Sequence, residues 1–325
     1  MKKITVTNEM SSQRLDKYLS RLLPLCPRSL IYKQLRKKNI TLNGKKADGS
    51  ETVSEGDTVE VFFSDETFDK FSAAEEVDLS RYENAYKTLK NIDIIYENEN
   101  ILIFNKPAGI LSQSDKTGDY SVNDYLIGYL LASGCINSES MASSKPSVCN
   151  RLDRNTSGLI VCSKGFKGTK IYNEYFKSGS EKYYLALVNG CFDKDGIFTD
   201  LVKKDEKENK LLFTTVDDPE RIEIKTGFET VRSSKDISLV KVRLYTGKSH
   251  QIRAHLSHLG YPIIGDFKYG GKNGIYNVSR QMLHAYTLHL NRFNDGEDAD
   301  FTAGIPYDMK IICKNAFGTI EEYGI

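Results

Sequence analysis

The chain has 325 residues, with 45 lysines and arginines against 44 aspartates and glutamates, a formal net charge of +1. At about 100–200 residues per domain this length predicts two domains, one of them large enough to bury a full core. No run approaches the ~20 apolar residues of a membrane span, and the start, Met1-Lys2-Lys3-Ile4-Thr5-Val6, has no long apolar stretch like that of a secretory signal. Cys26, Cys135, Cys149, Cys162, Cys191 and Cys313 are scattered without metal-ligand spacing, which predicts reduced thiols in a cytoplasmic protein and no metal.

The near-zero net charge hides an asymmetry. Residues 11–47 carry ten basic side chains, Arg14, Lys17, Arg21, Arg28, Lys33, Arg36, Lys37, Lys38, Lys45 and Lys46, against the single acid Asp16. Residues 64–99 reverse the balance, with ten acids against four basic residues. This pattern predicts a small basic domain over 1–64, an acidic linker over 65–92 and a second domain from 93 to 325. In the first domain Leu15, Tyr18, Leu19, Leu22 and Leu23 recur at helical spacing, and Pro24 and Pro27 end that helix. Ser29 is placed to cap a second helix with Leu30, Ile31 and Leu35 facing inward and Lys33, Arg36 and Lys37 facing out. Ile40-Thr41-Leu42, an Asn43-Gly44 turn and Thr58–Phe62 complete a helical hairpin with a small sheet. Lysine-rich surfaces are commonly just solvated. Here the positives are nearly unopposed and sit on one hairpin, the electrostatic footprint of phosphate binding.

From Asp93 onward strand-like runs outnumber helical ones. The strands are expected at 92–96, 101–104, 159–162, 183–188 and 239–244, and the helices at 121–131 and 249–259. An α+β domain with a largely antiparallel sheet follows. Phosphate-loop and dinucleotide motifs are absent.

Four local patterns carry candidate chemistry. In Asn150-Arg151-Leu152-Asp153-Arg154-Asn155-Thr156-Ser157-Gly158, one acid lies between two arginines before a strand. Thr156 and Ser157 can bond nearby backbone amides, and Gly158 can adopt angles other residues resist. The loop either presents Asp153 to a ligand or is a surface turn in which Asp153 pairs with Arg151 or Arg154. In the Asn105-Lys106-Pro107-Ala108-Gly109 turn, Lys106 is either a phosphate contact or a solvated lysine. In Lys182–Val188, alternation sends Tyr183 and Tyr184 to opposite faces, each either a stacking ring or a packed core tyrosine. Thr246-Gly247-Lys248-Ser249-His250-Gln251-Ile252-Arg253-Ala254-His255 ends a strand, and Ser249 is placed to start a helix. His250 and His255 lack a third ligand at a sensible spacing and read as hydrogen-bonded structural histidines.

Together these patterns occur in the order of one enzyme family. The chain resembles the RluA/RluC-type pseudouridine synthases through Arg-Leu-Asp-Arg-x-Thr-Ser-Gly-Leu at 151–159, Asn-Lys-Pro-Ala-Gly at 105–109 and Lys-x-Tyr-x-Ala-x-Val at 182–188. It also matches through Thr-Gly-Lys-Ser-His-Gln-Ile-Arg-x-His-Leu at 246–256, Gly-x-Pro-Ile-x-Gly-Asp-x-x-Tyr-Gly at 260–270 and Leu283-His284-Ala285. Residues 12–63 resemble the αL-type RNA-binding module of a small-subunit ribosomal protein. The resemblance implies a pseudouridine synthase fold with a central cleft, Asp153 as the catalytic group, Tyr184 against the uracil ring and Arg253 beside the carboxylate. It further implies that Arg151 fills the space left by the flipped base and that Lys248 stands where arginine is commoner. Arg14, Arg28, Lys33, Arg36 and Lys37, with Lys106, are the remaining expected RNA contacts. In this family the aspartate attacks the flipped uridine or assists loss of the base, and the uracil re-bonds to ribose through a ring carbon. Reactant and product are isomers, so no cofactor is expected. The module order implies large-subunit, 23S-type ribosomal RNA as the partner of a monomeric enzyme. Transfer RNA, or a non-catalytic role in ribosome assembly, are the alternatives. A glycosidase would want two opposed carboxylates, and only one stands out.

Overall fold

The computed structural model of the protein describes residues 1–7, 10–72, 78–138, 141, 144–176, 179–272, 276–291, 293 and 296–318. Glu75 and Glu76 of the acidic segment, and residues 319–325, lie outside the described residues.

The basic domain is built from β1 (Lys2–Thr5), β2 (Gln13–Arg14), α1 (Leu15–Leu22), α2 (Arg28–Arg36), β3 (Ile40–Leu42), β4 (Lys45–Lys46), β5 (Thr52–Val53) and β6 (Thr58–Val61). Four strands pair antiparallel in the order β1-β6-β3-β4, and β2 pairs with β5. The apolar stripe of α1 is buried at Leu15, Tyr18 and Leu19, and it meets Ile31 and Leu35 of α2 and Val59 and Val61 of β6. Asn43 and Gly44 both take positive φ, 52° and 72°, so β3 and β4 join through a tight hairpin turn. The second helix begins two residues earlier than a capping Ser29 would place it. Pro27 stands at its N-cap with extended backbone (φ −57°, ψ 135°), and Ser29 falls inside the first turn.

The acidic segment is more than a connector. It forms α3 (Asp65–Ser72) and α4 (Ser80–Thr88). Phe68 and Phe71 of α3 pack on the core of the basic domain. Helix α4 instead packs on the second domain, where Tyr82 O lies so close to Gly128 that an added Cβ would sit 2.2 Å from it. Arg81 bonds the buried Asp124 carboxylate there at 3.0 Å.

The second domain contains β7 (Asp93–Glu97), β8 (Ile101–Lys106), α5 (Val122–Ala132), β9 (Ser147–Val148), β10 (Ser157–Ser163) and α6 (Phe166–Ile171), which runs on as a π turn (Tyr172–Phe176). Then follow β11 (Ser180–Asn189), β12 (Gly196–Asp205), β13 (Lys210–Phe213), β14 (Ile222–Ser233), β15 (Ile237–Leu244), α7 (Gln251–His258), a 3-10 turn (Phe267–Tyr269), β16 (Leu283–Leu290), β17 (Ala299–Thr302) and α8 (Tyr307–Phe317). Eleven described strands form one sheet in the order β13-β12-β14-β15-β11-β16-β10-β8-β7, with β17 on β16 and β9 on β10. Every pairing is antiparallel except β10 with β16. The α+β, largely antiparallel expectation therefore holds. At the parallel junction Gly158 takes φ +110°, and a Cβ there would lie 2.1 Å from Ala285 O. Only glycine lets β10 start this close to β16, and the loop before it is thereby delivered to the middle of the sheet.

Ser249 does not start α7. His250 occupies the N-cap in the left-handed region (φ 61°, ψ 11°), a conformation that costs a non-glycine residue about 1–2 kcal/mol.

Candidate active site

The loop before β10 is pinned on both sides of Asp153. Ser112 Oγ donates to Leu152 O at 2.8 Å and accepts from Leu152 N at 3.0 Å. Thr156 N donates to Asp153 O at 3.0 Å, and Arg280 Nη1 reaches Asn155 O at 3.2 Å. The hydroxyls of Thr156 and Ser157 do not bond neighbouring amides. Thr156 Oγ1 meets Gln281 Nε2 at 3.3 Å, and Ser157 Oγ meets His284 Nδ1 at 2.9 Å. Both side chains point into the core, so side-chain partners from β16 and the segment before it win over local amides.

Asp153 pairs with neither adjacent arginine. Arg154 reaches Asp119, at 2.6 Å, and Arg151 is exposed. The Asp153 carboxylate, 26 % exposed, is held instead by Arg253 Nη1 at 2.7 Å, from a residue 100 positions away on α7. Arg253 is itself clamped. Its Nε and Nη2 each donate to Asp266 at 2.7 Å, and its guanidinium lies 5.2 Å from the centre of the Tyr269 ring. Burial opposes its charge, but the bonds and charges of Asp266 and then Asp153 raise its pKa all the same. The cation therefore stays fixed, and one of its faces is committed to the Asp153 carboxylate.

Tyr184 stands on β11 where the pairing with β16 shifts register between Tyr183 and Tyr184. Burial and then the Asp153 charge raise the pKa of its phenol, so the ring is a neutral neighbour of the carboxylate. His250, a structural histidine by its spacing, joins the site instead: its Nε2 lies 3.7 Å from Asp153 Oδ1 and its Nδ1 3.2 Å from the Tyr269 hydroxyl. Burial lowers its pKa despite the Asp153 charge, which keeps the imidazole neutral at neutral pH. His255 is structural as read, with Nδ1 at 3.0 Å from Thr226 Oγ1 and Nε2 at 2.8 Å from Asp200.

Lys106 is a correction. It is fully buried, and its ammonium donates to three carbonyls, Pro107 O at 3.0 Å and Ile110 O and Arg154 O at 2.9 Å. All three of its donors are used, so it cannot meet a phosphate. It ties the turn at 107–110 to the Asp153 loop. Burial and then the Arg280 charge push its pKa down to about 7, and the Asp153 charge works the other way.

The other expected RNA contacts divide. Lys248 and Arg151 are exposed near the site, and Arg28, Lys33, Arg36 and Lys37 are exposed on α2 and its end. Arg14 is also half exposed but pairs with Asp16 at 3.1 Å. Arg21 turns inward, stacking on Phe166 of α6 at 4.2 Å while Lys170 Nζ donates to Ser11 O at 2.9 Å. One of the ten basic residues thus joins the two domains. Among the described residues no cluster of three potential metal ligands occurs and no helix is long and apolar enough to cross a membrane.

Sequence reasoning missed Asp266, Tyr269 and His250 as members of the site. The signal lay in the Gly-Asp and Tyr-Gly pairs of 265–270, whose glycines mark a tight turn, but nothing local shows that the turn faces Asp153.

A largely antiparallel sheet that presents a partly exposed carboxylate on a clamped guanidinium, joined to a small basic module, suits an enzyme that acts on RNA. The family model described as RNA pseudouridylate synthase matches residues 100–258, and the S4 domain model matches residues 13–59. The chain belongs to the RluA-type RNA pseudouridine synthases that carry an N-terminal S4 domain. It is 33 % identical to ribosomal large subunit pseudouridine synthase C of Rickettsia bellii, over 93 % of this chain and 97 % of that one. It is 30 % identical to ribosomal large subunit pseudouridine synthase D of Borreliella burgdorferi, over 88 % and 84 %. The solved structure of human RNA pseudouridylate synthase domain containing 4 shares its fold, with a TM-score of 0.56 at 19 % identity, over 71 % of this chain and 94 % of that one.

Proposed function

We propose that this pseudouridine synthase isomerises uridines of large-subunit ribosomal RNA and that Asp153 is its catalytic group. The observation that carries the second part is the 2.7 Å pairing of the partly exposed Asp153 carboxylate with a guanidinium locked by a second, buried carboxylate. The clamped guanidinium holds that carboxylate in one orientation, as a positioned nucleophile or base needs. Tyr184, near enough to feel the Asp153 charge, is the ring we assign to the uracil.

In the reaction the bond from uracil N1 to ribose C1′ breaks and a bond from uracil C5 to C1′ forms. The C5 hydrogen leaves as a proton and N1 ends protonated, so no redox partner or group donor is needed. Extracting the base from its stack costs a few kcal/mol, and insertion of the exposed Arg151 into the vacated space would offset part of that cost. The ribosomal target is supported by the names of the relatives and by the S4 module, whose exposed cations on α2 suit a folded, phosphate-rich partner. A monomer in the cytoplasm, where thiols stay reduced, suits the six unpaired cysteines.

The test is Asp153→Asn in the full chain, assayed by tritium release from ribosomal RNA labelled at uridine C5. Release should fall by at least ~10³-fold while RNA affinity changes less than about threefold, as expected when a covalent catalyst is removed without loss of shape. Full activity in that variant overturns the assignment. Mapping pseudouridines in ribosomal and transfer RNA from cells with and without the protein decides the target.

A further inference from the structure

The turn beneath Arg253 carries an aromatic side chain that the fold leaves uncovered. Phe267 is 63 % exposed, the most exposed phenylalanine among the described residues. Its backbone is firmly held. The amides of Tyr269 and Gly271 donate to Asp266 O at 3.1 and 2.8 Å, and Ser257 Oγ donates to Tyr269 O at 2.7 Å. Leu211 N donates to the Tyr269 hydroxyl at 2.9 Å, and Gly265 (φ +76°) packs so tightly that a Cβ there would lie 2.0 Å from Arg280 O. The residue before Phe267 is the carboxylate that clamps Arg253, and two residues after it Tyr269 lies under the same guanidinium.

Phe267 therefore stands at the rim of the site on a rigid turn. Its neighbour Lys268 is in the same field: burial, then the Arg253 and Lys210 charges, lower its pKa, and Asp153 opposes them. A single exposed apolar residue is ordinary on any protein surface. An aromatic residue whose backbone is held in advance, next in sequence to the Arg253 clamp on one side and to a lysine on the other, is different, because stacking on it orders little more than two side-chain torsions. Every nucleobase offers a flat face to such a ring, and the phosphate of the same nucleotide suits the ammonium.

We propose that Phe267 and Lys268 form a subsite for the nucleotide flanking the target uridine, the ring stacking on its base and the ammonium meeting its phosphate. The proposal rests on the reading that uridine reacts at Asp153. The subsite holds the RNA strand at the cleft edge while the uridine is turned inward, so it acts on binding and leaves the chemical step alone.

The experiment uses the full chain with Asp153→Asn, titrated with single-stranded oligouridylate in which 2-aminopurine replaces one base at successive positions. Stacking should quench the fluorescence at one position. Phe267→Ala and Phe267→Leu should abolish that quenching and weaken binding about tenfold, within the range measured for base–aromatic stacks, and Phe267→Tyr should keep both. In the otherwise unaltered enzyme, acting on ribosomal RNA from cells lacking the protein, Phe267→Ala should raise KM about tenfold and leave the saturating single-turnover rate within about twofold. Unchanged quenching and affinity in Phe267→Ala overturn the subsite. So does full rescue by Phe267→Leu, which would mean mere apolar cover, or a slowed chemical step at unchanged KM. Conversion of uridine by the Asp153→Asn chain would instead overturn the catalytic reading, whatever Phe267 does.

Discussion

The Asp153 site and the cationic face of the S4 domain use the same charged residue types in opposite ways. Behind Asp153 two basic side chains are buried and committed, Arg253 to two carboxylates and Lys106 to three carbonyls. On α2 the cations are exposed, held by little more than the helix backbone. A buried ion is costly to desolvate and is kept only where its partners are complete, so its geometry is fixed before substrate arrives. An exposed ion costs little and adds field rather than position. The molecule thus separates shape from field, with the Asp153 carboxylate held by a clamped cation and the α2 cations free of any such clamp.

The sharpest way to break this contrast after Asp153→Asn is Arg253→Leu. It leaves Asp266, whose side chain is 1 % exposed, without its cation. Stability should fall by about 3–5 kcal/mol and tritium release should vanish. The double variant Arg253→Leu with Asp266→Leu should regain most of the stability in urea titrations and none of the activity. If the double variant stays as unstable as the single one, the cost does not come from an orphaned carboxylate.

A smaller effect is expected from acid. Burial pushes the His284 pKa down to about 4 from its ordinary 6.5, with Ser157 Oγ at 2.9 Å from its Nδ1. Between those values the unfolded chain binds more protons than the folded one. The stability contribution is therefore complete above pH 6.5 and is lost as pH falls toward 4, by about 3 kcal/mol in all. Urea midpoints taken from pH 7 down to 4 should show that loss, and His284→Gln should flatten it. An unchanged acid limb in that variant assigns the loss elsewhere.

The smallest effects belong to the exposed face. Lys33→Ala and Lys37→Ala should each leave stability within about 0.5 kcal/mol and lower RNA affinity a few-fold at low salt. Each should also reduce the slope of log affinity against log salt by about one where the lysine meets a phosphate. An unchanged slope shows that α2 faces away from the RNA. Either result tests the contrast directly, since no comparable variant at Arg253 can be silent.

Much of this was legible in the residues. The strands around 101–106, 157–163, 180–189 and 237–244 were readable because buried β runs leave a plain apolar signature. The glycine need at 158 and the Asn-Gly turn at 43–44 were readable because positive φ restricts residue type so strongly. Side-chain partners were not. The residue pattern points to Ser29 as a helix cap, Ser249 as a helix start and Thr156 and Ser157 as partners of nearby amides, and the fold uses none of them so. A hydroxyl finds many acceptors at similar energy, so the choice falls to whatever packing brings near. Lys106 shows the same limit, since a turn lysine and a buried triple donor look identical along the chain.

The sequence by itself determined the two-domain order, the α+β class, the basic character of the first domain and, through its motifs, the family. These depend on periodicity, turn chemistry and charge along short stretches of chain, which act locally. The tertiary structure alone decided that Asp153 meets Arg253 across 100 residues, that Asp266, Tyr269 and His250 join them, and that Arg21 joins domains instead of facing RNA. Those pairings arise because β10 lies parallel to β16 while α7 packs on β13 and β14 of the same sheet, a long-range arrangement that no window of sequence contains.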